Sequence, residues 1–166
     1  MKLLFTFLCL SFVLDVNAQD HQLSAFENLV GKTWIVEGTW GNGSLYKKES
    51  VFEFALNRTL VIEKSKGFTD SLQTTFGDRN YGVRQFNPED STITFYEFDV
   101  FGKITEGDVI IHDKNIGYTY EYEGFNLIDM WMYVDENNYR FVVAPYENGK
   151  IGEQYFLDGK ATVKTP

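Results

Sequence analysis

Tyr118-Thr119-Tyr120-Glu121-Tyr122-Glu123 is the stretch that decides the fold. Successive side chains of an extended chain point to opposite faces, so the three phenol rings share one face and Thr119, Glu121 and Glu123 the other. The segment reads as a half-buried β-strand. Outward from it the same period of two recurs. Phe52 and Phe54 alternate with Val51, Glu53 and Ala55, and Ile93 and Phe95 alternate with Thr92, Thr94 and Tyr96. Glycine, asparagine and aspartate clusters separate these runs: Gly41-Asn42-Gly43, Asn57-Arg58, Asn87-Pro88-Glu89-Asp90, Phe101-Gly102-Lys103, Asp113-Lys114-Asn115, Glu123-Gly124, Asp135-Glu136-Asn137-Asn138 and Glu147-Asn148-Gly149. Links of two to five residues join antiparallel neighbours, because a parallel crossover takes about a dozen residues or more.

The pattern predicts about ten strands, near 33–41, 45–56, 59–66, 70–76, 80–86, 91–98, 103–112, 116–123, 126–135 and 138–146, with a last one within 150–163 that completes the set or replaces a member. So many strands curl, and closure removes their exposed edges. The expected fold class is all-β, a closed antiparallel up-and-down barrel. A short helix is expected before it from Leu23 to Val30, with Ser24 as N-cap and Glu27 three residues on, placed to plug one end.

The first eighteen residues differ from the rest. Lys2 is followed by an apolar run from Leu3 to Leu14 and then by Val16-Asn17-Ala18. This is the order of a signal peptide cleaved after Ala18, and the run falls short of the roughly 20 apolar residues of a membrane span. Residues 1–18 are therefore expected to leave, and with them Cys9, the only cysteine. Removing 18 residues from 166 leaves 148, residues 19–166, which suits one domain. Its destination is extracellular or periplasmic, and it has no disulfide or thiol chemistry.

Net charge is −9, and no basic cluster exceeds Lys47-Lys48. Phosphate backbones and anionic lipid repel such a chain, so nucleic acid and membrane insertion are not expected. Aromatic residues make up 17% of the sequence, more than a small core needs, which directs attention to the barrel interior.

Gly31-Lys32-Thr33-Trp34 opening the first strand, and Tyr96-Glu97-Phe98-Asp99-Val100-Phe101-Gly102 with Gly107 downstream, resemble motifs of the calycin superfamily, the lipocalin and fatty-acid-binding-protein type of barrel. Gly31 and Trp34 are three apart where the lipocalin pattern has two, and the likeness is nearer to bacterial secreted calycin-like families without an assigned activity. The resemblance implies a ten-stranded barrel with a central cavity for a small apolar or aromatic molecule. It also implies that a basic side chain from a late strand, Arg140, Lys160 or Lys164, closes one end over Trp34.

Catalytic and metal constellations are not seen. Histidine occurs at His21 and His112 alone, no nucleophile elbow is present, and neither zinc nor calcium spacing occurs. A haem-binding histidine near the C-terminus is lacking, so no cofactor is expected. Alternation places Glu97, Asp99, Glu106, Asp108, Glu121 and Glu123 on outward faces. Asp129 is the exception, sharing a strand face with Leu127, Trp131 and Tyr133. Either it points inward and is hydrogen-bonded, or that aromatic face packs on a second chain in a weak homodimer.

The expected lining of a ligand cavity is Trp40, Arg84, Tyr96, Phe98, Tyr118, Tyr120, Tyr122 and Trp131, with an inward Arg84 as anchor for a ligand carboxylate. A binding role leads on these grounds. An inert interaction protein with a filled barrel is one alternative. The other is a calycin-type enzyme working through tyrosines, an arginine and a carboxylate, which requires Arg84 or Arg140 to meet an acidic residue inside.

Overall fold

The computed structural model describes residues 22–165. The expected leader, Cys9 and His21 lie outside them. Eleven strands follow in sequence: β1 (Thr33–Trp40), β2 (Leu45–Ala55), β3 (Leu60–Phe68), β4 (Phe76–Asn87), β5 (Thr92–Asp99), β6 (Ile104–His112), β7 (Asn115–Tyr122), β8 (Phe125–Asp135), β9 (Asn138–Glu147), β10 (Lys150–Ile151) and β11 (Leu157–Val163). Each of β1 to β9 pairs antiparallel with the next, β11 pairs with β9, and β1 with β11 closes the ring. Ten strands thus form a closed up-and-down barrel. The two-residue β10 continues the edge of β9 through Lys150 opposite Glu147 and Ile151 opposite Tyr146. Residues 153–155 leave that edge, while the amides of Gly152 and Phe156 still donate to the Pro145 and Val143 carbonyls, and pairing resumes at Leu157 opposite Val143.

The expected strand at 70–76 does not form. Asp70 accepts hydrogen bonds from the backbone amides of Leu72, Thr74 and Thr75 and so folds the segment on itself as a loop between β3 and β4. The count stays at ten because 157–163 supplies the missing member.

The expected helix is one 3-10 turn, Ser24–Phe26, with Leu23 rather than Ser24 at the N-cap position. Leu23, Phe26 and Leu29 are spaced by three, and a 3-10 turn aligns such side chains on one side. All three are at most 1% exposed. They plug one end of the barrel, and Gly31, at a φ of 75°, turns the chain into β1 while its amide bonds the Phe52 carbonyl.

The core of the plugged end is aromatic. Trp34, 0% exposed, stands edge-on to Trp131 and Tyr139 with ring centroids 6.0 and 5.3 Å away, and its indole N–H donates to the Leu29 carbonyl at 3.0 Å. The cation beside Trp34 is Lys32, 5.5 Å from the ring centroid, not a residue of a late strand. Arg140 instead makes a two-pronged pair with Asp158 and lies over Tyr155, and Lys164 pairs with Glu49. Lys32 is the nearer cation in sequence, two residues from Trp34, and is tied by hydrogen bonds to Asn28 and to the Glu136 carbonyl.

Candidate functional site

The half of the barrel away from the plug holds a cavity of about 610 Å³. Phase along each strand decides what lines it. On β2, Phe52 is buried, so Tyr46, Lys48 and Ser50 point inward with it. On β4, buried Phe86 sets Arg84 and Gly82 inward, and on β5 Ile93 and Phe95 do the same for Glu97. Tyr118, Tyr120 and Tyr122 of β7 share the inner face, as their alternation predicts, and Asp129 and Trp131 of β8 line the cavity beside them.

Six of the eight expected lining residues are therefore on the cavity wall: Trp40, Arg84, Tyr118, Tyr120, Tyr122 and Trp131. Tyr96 and Phe98 are not. They occupy the opposite face of β5 from Phe95 and lie 38% and 46% exposed outside the barrel. Their own alternation with Phe95 and Glu97 dictates it. The same phase turns Glu97 inward, against the expectation that it faces solvent. Asp129 points inward and accepts the Tyr120 hydroxyl at 2.8 Å. Trp131 is buried among Phe52, Tyr139 and Phe141, so it offers no outer contact face.

Glu63 of β3 is the centre of the cavity floor. It is 2% exposed and accepts from Ser50 Oγ at 2.7 Å, from Lys48 Nζ at 2.8 Å and from Arg84 Nη2. Arg84 is equally buried. Its Nε donates to the Tyr118 hydroxyl at 3.3 Å, and its guanidinium lies 4.8 Å from the Tyr118 ring centroid. Gly82 makes this possible. In the sheet register it lies between Glu63 and Glu97, and a Cβ there would stand 2.2 Å from Arg84 Nη1. The guanidinium fills the space that any other residue's side chain would take. Glu97 completes the floor, accepting from the Asn80 amide at 2.5 Å with Lys48 Nζ 3.9 Å away.

Electrostatics separate the two carboxylates sharply. Burial pulls the Glu63 carboxyl upward, but Lys48 and Arg84 outweigh it and hold its pKa down at about 2. Among the described residues no cation contacts Asp129, and Lys48 lowers its pKa only from a distance. Burial dominates and, with the nearby Glu97 charge, pushes it up to about 7 despite the Tyr120 hydrogen bond. Burial also raises the Tyr118 phenol to about 12.

Arg84, the expected anchor for a ligand carboxylate, has its fork engaged by Glu63 instead. The lining residues missed from sequence include Phe95 and Phe141 and the polar or charged Tyr46, Lys48, Glu63, Asn80 and Glu97, and for the polar ones on β2, β4 and β5 the phase of Phe52, Phe86 and Phe95 is the signal that could have found them. His112 is at the end of β6 with its side chain 80% exposed.

The class this fold and site define is a closed ten-stranded antiparallel barrel with one plugged end and one hollow, charge-floored half, an architecture consistent with a calycin-like barrel. No protein-family model matches the chain, and no curated protein matches it.

Proposed function

We propose that this chain is a secreted or periplasmic calycin-like barrel that holds a small aromatic molecule in its hollow half. The observation that carries the reading is the cavity itself. Its volume of about 610 Å³ falls in the roughly 300–1,000 Å³ range of small-molecule sites. The side chains of Trp40, Phe95, Trp131 and Phe141 wall it, while Glu63, Arg84 and Tyr118 give it a fixed polar floor. Rings and a few oriented polar groups are what bind and orient a planar ligand. The leader-like first eighteen residues support export.

Trp40 and Trp131 both line the cavity and report on its occupancy. Titration with 2-naphthol or 1-anilinonaphthalene is expected to change tryptophan emission saturably. Thr105→Trp, which places an indole against the cavity from β6, is expected to weaken the response. A panel of aromatic probes that leaves both emission and melting temperature unmoved overturns the reading.

A second reading, catalysis without histidine, draws on Arg84 meeting Glu63 inside the cavity and on the Asp129–Tyr120 pair. A carboxyl poised near neutrality beside a phenol can pass a proton. It requires chemical conversion of a bound molecule, and a ligand recovered unchanged after saturating incubation counts against it.

A further inference from the structure

Ten charged side chains line the cavity, and five of them, Lys48, Arg84, Glu63, Glu97 and Asp129, interact with one another as an inner set. The two cations are both turned to Glu63, which leaves neither available to a ligand without breaking a buried ion pair. The two remaining carboxylates are served by neutral donors, Glu97 by Asn80 and Asp129 by Tyr120. Lys48 approaches Glu97 only to 3.9 Å, and among the described residues Asp129 forms no ion pair. With Asp129 ionised, this inner set carries two positive and three negative charges, an excess of one negative charge.

The cations nearer the mouth do not reverse that balance inside. Lys47 pairs with Glu37 at 3.0 Å, Arg79 donates to the Phe68 carbonyl and lies over the Phe101 ring, and Lys103 lies over the Tyr122 ring. Around the two carboxylates stand the rings of Trp40, Tyr46, Tyr120 and Trp131, with Trp40 edge-on to Tyr46 at 5.6 Å between centroids. The negative faces of such rings attract an ammonium group, most strongly where water is displaced. A carboxylate in a cavity wall without a cation is costly, and a ligand that brings one removes the cost.

We infer that the cavity takes an organic amine, a protonated ammonium group on an aromatic body, with the ammonium received by Asp129 and Glu97. The inference rests on the cavity being a binding site, as proposed above. Three probes of nearly equal size separate the charge classes: 2-phenylethylamine, 2-phenylethanol and 3-phenylpropionate, titrated calorimetrically into the intact protein at pH 8. The amine is expected to bind at least tenfold more tightly than the alcohol, and the acid more weakly than either. Asp129→Asn keeps the size of the side chain and an acceptor for Tyr120. It is expected to bring the amine down to the affinity of the alcohol while leaving the alcohol within about twofold. Glu97→Gln is expected to shift the ratio in the same direction and serves if the first variant does not fold.

An alcohol or acid that equals the amine overturns this inference and leaves the binding role standing. Failure of all three probes, together with 2-naphthol and 1-anilinonaphthalene, overturns the binding role itself and the amine with it.

Discussion

Glu63→Gln is expected to lower the unfolding free energy at pH 7 by about 3–5 kcal/mol, because it leaves Arg84 and Lys48 buried without their counter-charge. Both cations touch the Glu63 carboxylate, and the side chains of Glu63 and Arg84 are each 3% exposed and that of Lys48 14%, so water replaces the lost partner poorly. The amide oxygen of the substituted side chain still accepts from Ser50, which confines the loss to charge rather than shape. Removing the buried pair altogether, as Glu63→Met with Arg84→Met, is expected to cost less than Glu63→Gln alone, since two apolar side chains of similar size leave no unpaired charge between them. The pH dependence carries a matching signature. A carboxyl whose folded pKa is about 2, below its ordinary value, contributes stability that is present above the ordinary range and is lost as pH falls through it toward 2. Urea unfolding followed from pH 7 to pH 2.5 is expected to show this acid loss in the parent and a shallower one in Glu63→Gln. A variant within about 1 kcal/mol of the parent at pH 7 contradicts the account.

The barrel was legible in the sequence because period-two alternation and short polar turns are local signals, and the closed ring follows from their number. The segment 70–76 misled because its apolar and threonine content suits a strand, while the outcome turned on one side chain, Asp70, capturing three amides. Leu23 to Val30 misled for a related reason. Spacing by three and four both occur there, and burial under the barrel end selected the three.

The cavity floor was half legible. Tyr118, Tyr120 and Arg84 could be found by residue type, but Glu63 could not, because Leu60-Val61-Ile62 before it is apolar on both faces and leaves the phase of β3 open. Tyr96 and Phe98 show the opposite error. Their aromatic character suggests an inward position, whereas the alternation that Ile93 and Phe95 establish turns them out. What a charged residue meets across three strands depends on register, and the register here runs from Glu63 through Gly82 to Glu97. No local pattern contains that pairing.

Trp34→Ala is expected to cost about 3–5 kcal/mol, the range for removing a large buried ring from a packed core. Trp34 is 0% exposed and holds together elements distant in sequence: the 3-10 turn before β1, Trp131 of β8 and Tyr139 of β9. Its loss leaves a void between those rings and also strips the Leu29 carbonyl of its donor. Trp34→Phe separates the two effects. It keeps much of the ring contact and loses the N–H, and is expected to cost about 1–3 kcal/mol. The hollow half should barely notice Trp34→Phe, because Trp34 is not among the residues that line the cavity and a phenyl ring in its place still backs Trp131. Where Trp34→Phe still folds, its affinity for 2-naphthol is accordingly expected to stay within about twofold of the parent. Urea midpoints measure the stability losses, and limited proteolysis tests whether residues 22–30 come loose in Trp34→Ala before the barrel does. A Trp34→Ala protein that unfolds at the parent's midpoint would mean that the plugged end contributes nothing to stability, and the division of the barrel into a stabilising end and a binding end would have to be given up.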